Sequence, residues 1–143
     1  MVKIENDYIL HLEDNIGDQV IFQEIFEENK LHNVELVQAE NGEKGYSILS
    51  DFGKPPLIII LDINMPVMNG LEFLMKIKSD SDLKRIPCIM LTSSASKRDV
   101  LASYEHSANA YLIKGLQLED YRKNMTALIN FWLGVNVAPI MVF

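Results

Sequence analysis

The chain is poor in cysteine and short of basic residues, and it lacks any long apolar run. Its single cysteine, Cys88, rules out a disulfide framework within the chain, and no Cys/His cluster has zinc-site spacing. Lys and Arg number 13 against 20 Asp and Glu, a formal net charge of -7, and that deficit disfavours a broad nucleic-acid surface. No apolar stretch approaches the roughly 20 residues that cross a bilayer. The opening "MVKIENDYILHLED" carries acids and only a short apolar run, unlike a signal peptide. There is no G-x-G-x-x-G and no P-loop to cradle a nucleotide. With 48% hydrophobic and 23% charged residues the composition is globular rather than disordered. The expectation is one soluble cytoplasmic domain over residues 1–143, without nucleic-acid or membrane partners.

What is present is an alternation. "YILHL" runs into Glu13-Asp14, and "IGDQVIFQEIFEENK" follows with Ile21, Phe22, Ile25 and Phe26 at helical spacing. "VELVQA" is a second strand, which Asn41-Gly42 breaks before the helix "EKGYSILSDF". Pro55-Pro56 leads into the strand "LIIIL", and a helix near "LEFLMKIKSD" aligns Leu71, Leu74, Met75 and Lys78. Pro87 opens "CIML", a helix covers about Lys97 to His106, "AYLI" is a fifth strand, and "LEDYRKNMTALINFWL" closes the series as an amphipathic helix. Five strand–helix units of this kind predict an α/β fold, a parallel sheet with helices on both faces. Cys88 reads as core, and His11, His32 and His106 fall on separate elements with no shared role.

Ligands of open parallel sheets bind beyond the carboxyl ends of the strands. The first strand ends in Glu13-Asp14, the third in Asp62, the fourth in Thr92-Ser93-Ser94 and the fifth in Lys114. Three carboxylates, a hydroxyl and an ammonium would converge on one rim. Clustered carboxylates repel unless cations offset them, and a hard divalent ion such as Mg²⁺ (or Mn²⁺) does so while keeping room for phosphate oxygens. Such a set suits phosphoryl transfer, with Asp62 as the nucleophile that accepts the group.

These residues resemble the receiver domain of two-component response regulators over nearly the whole chain. "LDINMPVMNG" is similar to the family's phosphoacceptor loop, and Thr92 and Lys114 follow Asp62 at the family's offsets. The resemblance implies a five-stranded sheet of order 2-1-3-4-5, and phosphorylation of Asp62 by a histidine of a sensor kinase. It further implies that Asp14, Asp62 and the Asn64 backbone carbonyl ligate the metal, with Glu13 acting through water. Thr92 and Lys114 would hold phosphoryl oxygens. Tyr111 stands at the family's aromatic switch position, although an aromatic in an edge strand also serves simply for packing. Such a domain is not an enzyme in the ordinary sense, though it promotes its own phosphorylation and dephosphorylation. The expected output is a change in protein–protein binding.

One departure is clear: Gly115 stands where the family usually has proline. A cis bond before a non-proline residue costs about 2.5–4 kcal/mol, while glycine's freedom in φ offers a similar loop path through a trans bond. The sequence leaves the isomer open, and Lys114 is still expected to reach the site. The apolar tail, about 133–143, and "FWL" before it resemble regulators paired with bacterial phytochrome-type kinases. That likeness implies a homodimer through the last helix, with Phe131 and Trp132 as contacts. On the first helix, Phe22 and Phe26 either face a kinase or widen the buried face. A phosphatase with an Asp nucleophile would need a second acid where Asn64 stands, and Asn cannot protonate a leaving group. A receiver that serves only as a binding module would be expected to have lost one of the site residues, and none is lost.

Overall fold

The computed structural model describes residues 5–31 and 33–139. Strands and helices alternate as β1 (Asp7–Leu12), α1 (Ile16–Glu28), β2 (Val34–Ala39), α2 (Gly42–Asp51), β3 (Ile59–Leu61), α3 (Gly70–Ser79), β4 (Cys88–Thr92), α4 (Lys97–Glu105), β5 (Ala110–Ile113) and α5 (Leu118–Ile129). The strands form one sheet of order β2-β1-β3-β4-β5, every pair parallel. This is the expected order, and it reverses between β1 and β3, which opens a crevice at their carboxyl ends.

The pleat sorts side chains into two cores. Tyr8, Leu10 and Leu12 of β1 join Ile59, Leu61, Cys88 and Met90 in a layer that includes Phe73, Leu74 and Ile77 of α3. Ile9, Ile60, Ile89 and Leu91 point the other way, onto Phe22 and Ile25 of α1 and Met125 and Leu128 of α5. Both faces are therefore covered, as near-continuous apolar strands require. His11 falls on the α1 side of this alternation and stacks on Phe22, ring centroids 4.0 Å apart. Burial, helped by the charge of Lys114, pushes its pKa down to about 3, so it is a neutral core residue.

β3 is shorter than the apolar run "LIIIL", yet the run lies as predicted. The Leu57 N–H donates to the Tyr8 carbonyl at 2.8 Å, and the Leu10 N–H donates to Ile58 at 3.1 Å. In α3 the buried face is Gly70, Phe73, Leu74 and Ile77, one residue away from the predicted set, and Met75 is 46% exposed. The cause is Gly70, where a Cβ would stand 2.0 Å from the Asp62 carbonyl oxygen. That backbone contact fixes the rotation of the helix. In α1, Phe22 and Phe26 are both buried, so they widen the core face and are not available to a kinase. The last helix also departs from expectation, since α5 gives way to a π-helical stretch, Asn130–Val135.

Trp132 and Leu133 pack against the α1/α5 core, and Ala138 is buried within it. Leu133 and Ala138 of the described tail thus cover their own domain, while Val135 and Val137 are exposed. Phe131 remains 47% exposed and meets Trp132 edge-on at 5.1 Å. Residues 140–143 of the tail, and His32, lie outside the described residues.

Candidate functional site

β1 delivers Glu13 and Asp14 directly after its last apolar residue, and the Glu13 N–H still bonds to Ala39 of β2 at 2.9 Å. Asn15 then caps α1, its side chain accepting from the Asp18 N–H at 3.0 Å. β3 delivers Asp62, whose N–H donates to the Leu12 carbonyl at 3.1 Å, and this bond holds the two acidic strand ends side by side. Glu13 and Asp62 are buried while Asp14 is exposed at the mouth, and one carboxylate oxygen from each lies within 4.8 Å of the others.

Lys114 reaches into this cluster from the end of β5, where its N–H donates to the Thr92 carbonyl at 2.9 Å. Its Nζ donates to Glu13 Oε1, to Asp18 Oδ2 at 2.8 Å and to Asp62 Oδ2 at 3.1 Å. The second oxygens are used as well: Glu13 Oε2 accepts from the Asn15 N–H at 3.2 Å, and Asp62 Oδ1 from the Ile63 N–H at 2.7 Å. Burial pushes the Glu13 carboxyl up to about 7, against the opposing pull of Lys114. Burial also works against the Lys114 charge, but its bonds to Asp18 and Glu13 outweigh that cost and raise its pKa above the usual lysine value. Four acids around one ammonium leave an excess of negative charge in a cleft open to solvent.

The all-oxygen donor set fits a hard divalent cation that binds through carboxylates and keeps part of its water shell. Asn64 is exposed and lines the same cleft, as does Ser93. Thr92 is fully buried, its Oγ1 accepting from the Ser94 N–H at 3.4 Å. Ser94 links the rest of this edge: its hydroxyl donates to Asp99 at 2.6 Å, and its carbonyl accepts from the Tyr111 hydroxyl at 2.7 Å. Tyr111 is half-buried, and burial raises its pKa. The strand ends therefore bring Glu13, Asp14, Asp62, Thr92 and Lys114 to one rim, with Tyr111 tied by way of Ser94 to the loop after Thr92.

The bond from Lys114 to Gly115 is trans, which settles a point the sequence left open, and Gly115 has φ +88°. A Cβ there would lie 2.6 Å from Asp120 Cβ, so the loop requires glycine twice over. Sequence reasoning missed Asp18. The available signal was its place at the third position of a helix capped by Asn15, one turn beyond Asp14.

Comparison with known proteins agrees with this geometry. Residues 9–126 match the response regulator receiver domain family. Response regulator Rcp1 of Synechocystis is 36% identical over 136 residues, 92% of each chain. The Mn²⁺-bound form of Rcp1 superposes with a TM-score of 0.87 at 36% identity, covering 93% of this chain and 99% of the other. The phosphorylated cyanobacterial phytochrome response regulator RcpA gives 0.88 at 31%, covering 94% and 99%. With residues 9–126 matched by the family and a relative 36% identical over 92% of the chain, the chain belongs to the response regulator receiver family of two-component signalling.

Proposed function

We propose that Asp62 is the phosphoacceptor of this response regulator, and that Mg²⁺ or Mn²⁺ held by Asp14, Asp62 and the Asn64 carbonyl, with Glu13 acting through water, is required for its phosphorylation. The observation that carries this is the convergence of Lys114 Nζ with Glu13 and Asp62 beside the three-acid cluster. An Asp62 carboxylate oxygen attacks the phosphorus, the bond from phosphorus to the kinase's histidine nitrogen breaks, and that nitrogen keeps the electron pair. A bound divalent cation would neutralise the charge gathered on the carboxylates and phosphoryl oxygens. Lys114 supplies the second positive charge, and the Thr92 hydroxyl takes up a phosphoryl oxygen. Moving that hydroxyl disturbs its bond to the Ser94 N–H, and Ser94 also holds Tyr111. Tyr111 is on this reading the switch that passes the charge change to a surface where proteins bind.

The partner is a sensor histidine kinase, of phytochrome type on the strength of the relatives. The protein pairs with itself through the last helix, binds no nucleic acid or membrane, and acts in the cytoplasm, where a free thiol such as Cys88 is kept reduced. Residues 1–143 act as one receiver unit, a reading supported by Ala138, beyond the matched family span, packing into the domain's own core. It promotes its own phosphorylation and dephosphorylation without being a turnover enzyme.

Intact mass after incubation with acetyl phosphate tests the central claim. The wild type gains one phosphoryl group only when Mg²⁺ is present, and Asp62→Asn gains none. Modification of Asp62→Asn to the same extent would sink the assignment.

A further inference from the structure

A fourth acid of the site, Asp18, takes no part in the proposed metal binding or phosphoryl transfer. Asp18 lies in the first turn of α1, 30% exposed at its side chain, and takes a 2.8 Å bond from a lysine that is itself almost wholly buried. Of the three carboxylates on Lys114, Glu13 and Asp62 belong to the cluster able to hold a metal, and Asp18 does not. A cation in that cluster competes with Lys114 for the Glu13 and Asp62 oxygens. Asp18 is then the one carboxylate left wholly to the ammonium.

The helix is built to free Asp18 for this task. In α3 the equivalent third position is Glu72, which reaches back to the cap: its carboxylate accepts from the Asn69 N–H at 3.3 Å while Asn69 accepts from the Glu72 N–H at 2.9 Å. In α1 the Asn15 side chain again bonds to the third N–H, but the Asn15 N–H goes to Glu13 instead. The shorter acid at position 18 has no cap to serve and turns to Lys114. The Lys114 backbone is held by its bond to Thr92, but its long side chain is free to swing, so the ion pair with Asp18 supplies a restraint on the ammonium that the backbone does not.

We propose that Asp18 is a positioning residue: it holds the Lys114 ammonium at the rim when metal draws on Glu13 and Asp62, so that the lysine is in place for the incoming phosphoryl group. This rests on the phosphoacceptor reading above. No bond forms or breaks at Asp18.

A double-mutant cycle of Asp18→Asn and Lys114→Met tests it, with Lys114→Gln substituted should the Met variant not fold. Two quantities are read for each protein: Mn²⁺ affinity by titration calorimetry, and the acetyl phosphate reaction rate at saturating Mg²⁺. In the wild-type background Asp18→Asn is expected to weaken Mn²⁺ binding, because Lys114 then falls back on the metal's carboxylates. It should also slow phosphorylation by about tenfold even at saturating Mg²⁺, the scale of one lost hydrogen bond between charged groups. In the Lys114 variant both effects should vanish, since Asp18 acts only through that ammonium. Equal effects in both backgrounds would reduce Asp18 to a remote charge and overturn the proposal, as would a wild-type rate for Asp18→Asn at saturating Mg²⁺. If the wild type itself neither binds Mn²⁺ nor accepts phosphate, the phosphoacceptor reading fails first, and the two failures are told apart.

Discussion

Cys88 shows what burial does to a single residue. It opens β4 with its thiol buried, and the S–H points to the Ile86 carbonyl at 3.6 Å. Burial pushes that thiol up to about 11 from an ordinary value near 9, with Lys78 opposing weakly. The folded chain therefore keeps a proton that the unfolded chain gives up above pH 9. This contribution to stability is complete below pH 9 and is lost as pH rises from 9 to 11, at about 1.4 kcal/mol per pH unit. Denaturation in urea at pH 8 and pH 10.5 checks it: wild type should lose more stability over that interval than Cys88→Ala. The same burial should leave the native thiol inert to an aromatic disulfide reagent at pH 8. At this scale Glu13, Asp14, Asp62, Thr92 and Lys114 were legible in the sequence because each ends a strand, and strand ends are visible as apolar runs stopping. Asp18 was harder to find, because its place in the first turn of α1 says nothing of a partner 96 residues further along the chain.

Among the elements, α3 carries the tightest demand. Its first residue, Gly70, has no room for a methyl group, since the Asp62 carbonyl oxygen would lie 2.0 Å from it and the Ile63 Cα 2.8 Å. The Gly70 N–H also donates to the Ile63 carbonyl at 2.8 Å, so the helix start and the Asp62 loop are fastened together. Gly70→Ala is expected to cost about 1–3 kcal/mol or more by overpacking against backbone that cannot rotate away. It should also slow phosphorylation at Asp62, though residue 70 touches no phosphate. A thermal melt and the acetyl phosphate assay on one preparation decide this, and an unchanged rate would mean that the loop absorbs the strain. Alternation of apolar strands and amphipathic segments made all ten elements legible in order. The rotation of α3 was not, because Leu71 and Met75 are as apolar as Phe73 and Ile77, and only a backbone contact selects between the two faces. The π-helical end of α5 was equally hidden: "NFWLGV" has no signature separating it from one more α-helical turn.

For the whole molecule the open question is its surface. Leu101 and Tyr104 on α4 and Ile113 on the adjacent β5 are large apolar residues left exposed, as is Phe131 after α5. Trp132, expected beside Phe131 in the contact, is partly spent on the domain's own core. The proposed homodimer therefore leans on Phe131 more than on Trp132. Sedimentation velocity over a concentration series should show a dimer for the wild type and a monomer for Phe131→Asp, with circular dichroism unchanged. A wild type that stays monomeric at every concentration would remove the dimer from the functional account.

The reach of Lys114 across the sheet also bears on the order in which the protein is made. Its partners Glu13 and Asp62 precede it by 101 and 52 residues. A ribosome thus releases β1 and β3 with their acids long before β5 emerges, although those strands pair directly. Where β1 and β3 pair before β5 emerges, their carboxylates face one another without the Lys114 ammonium, and protons or dissolved cations can stand in. The last strand to arrive supplies the missing charge, so the act of completing the sheet is also the act of arming the site.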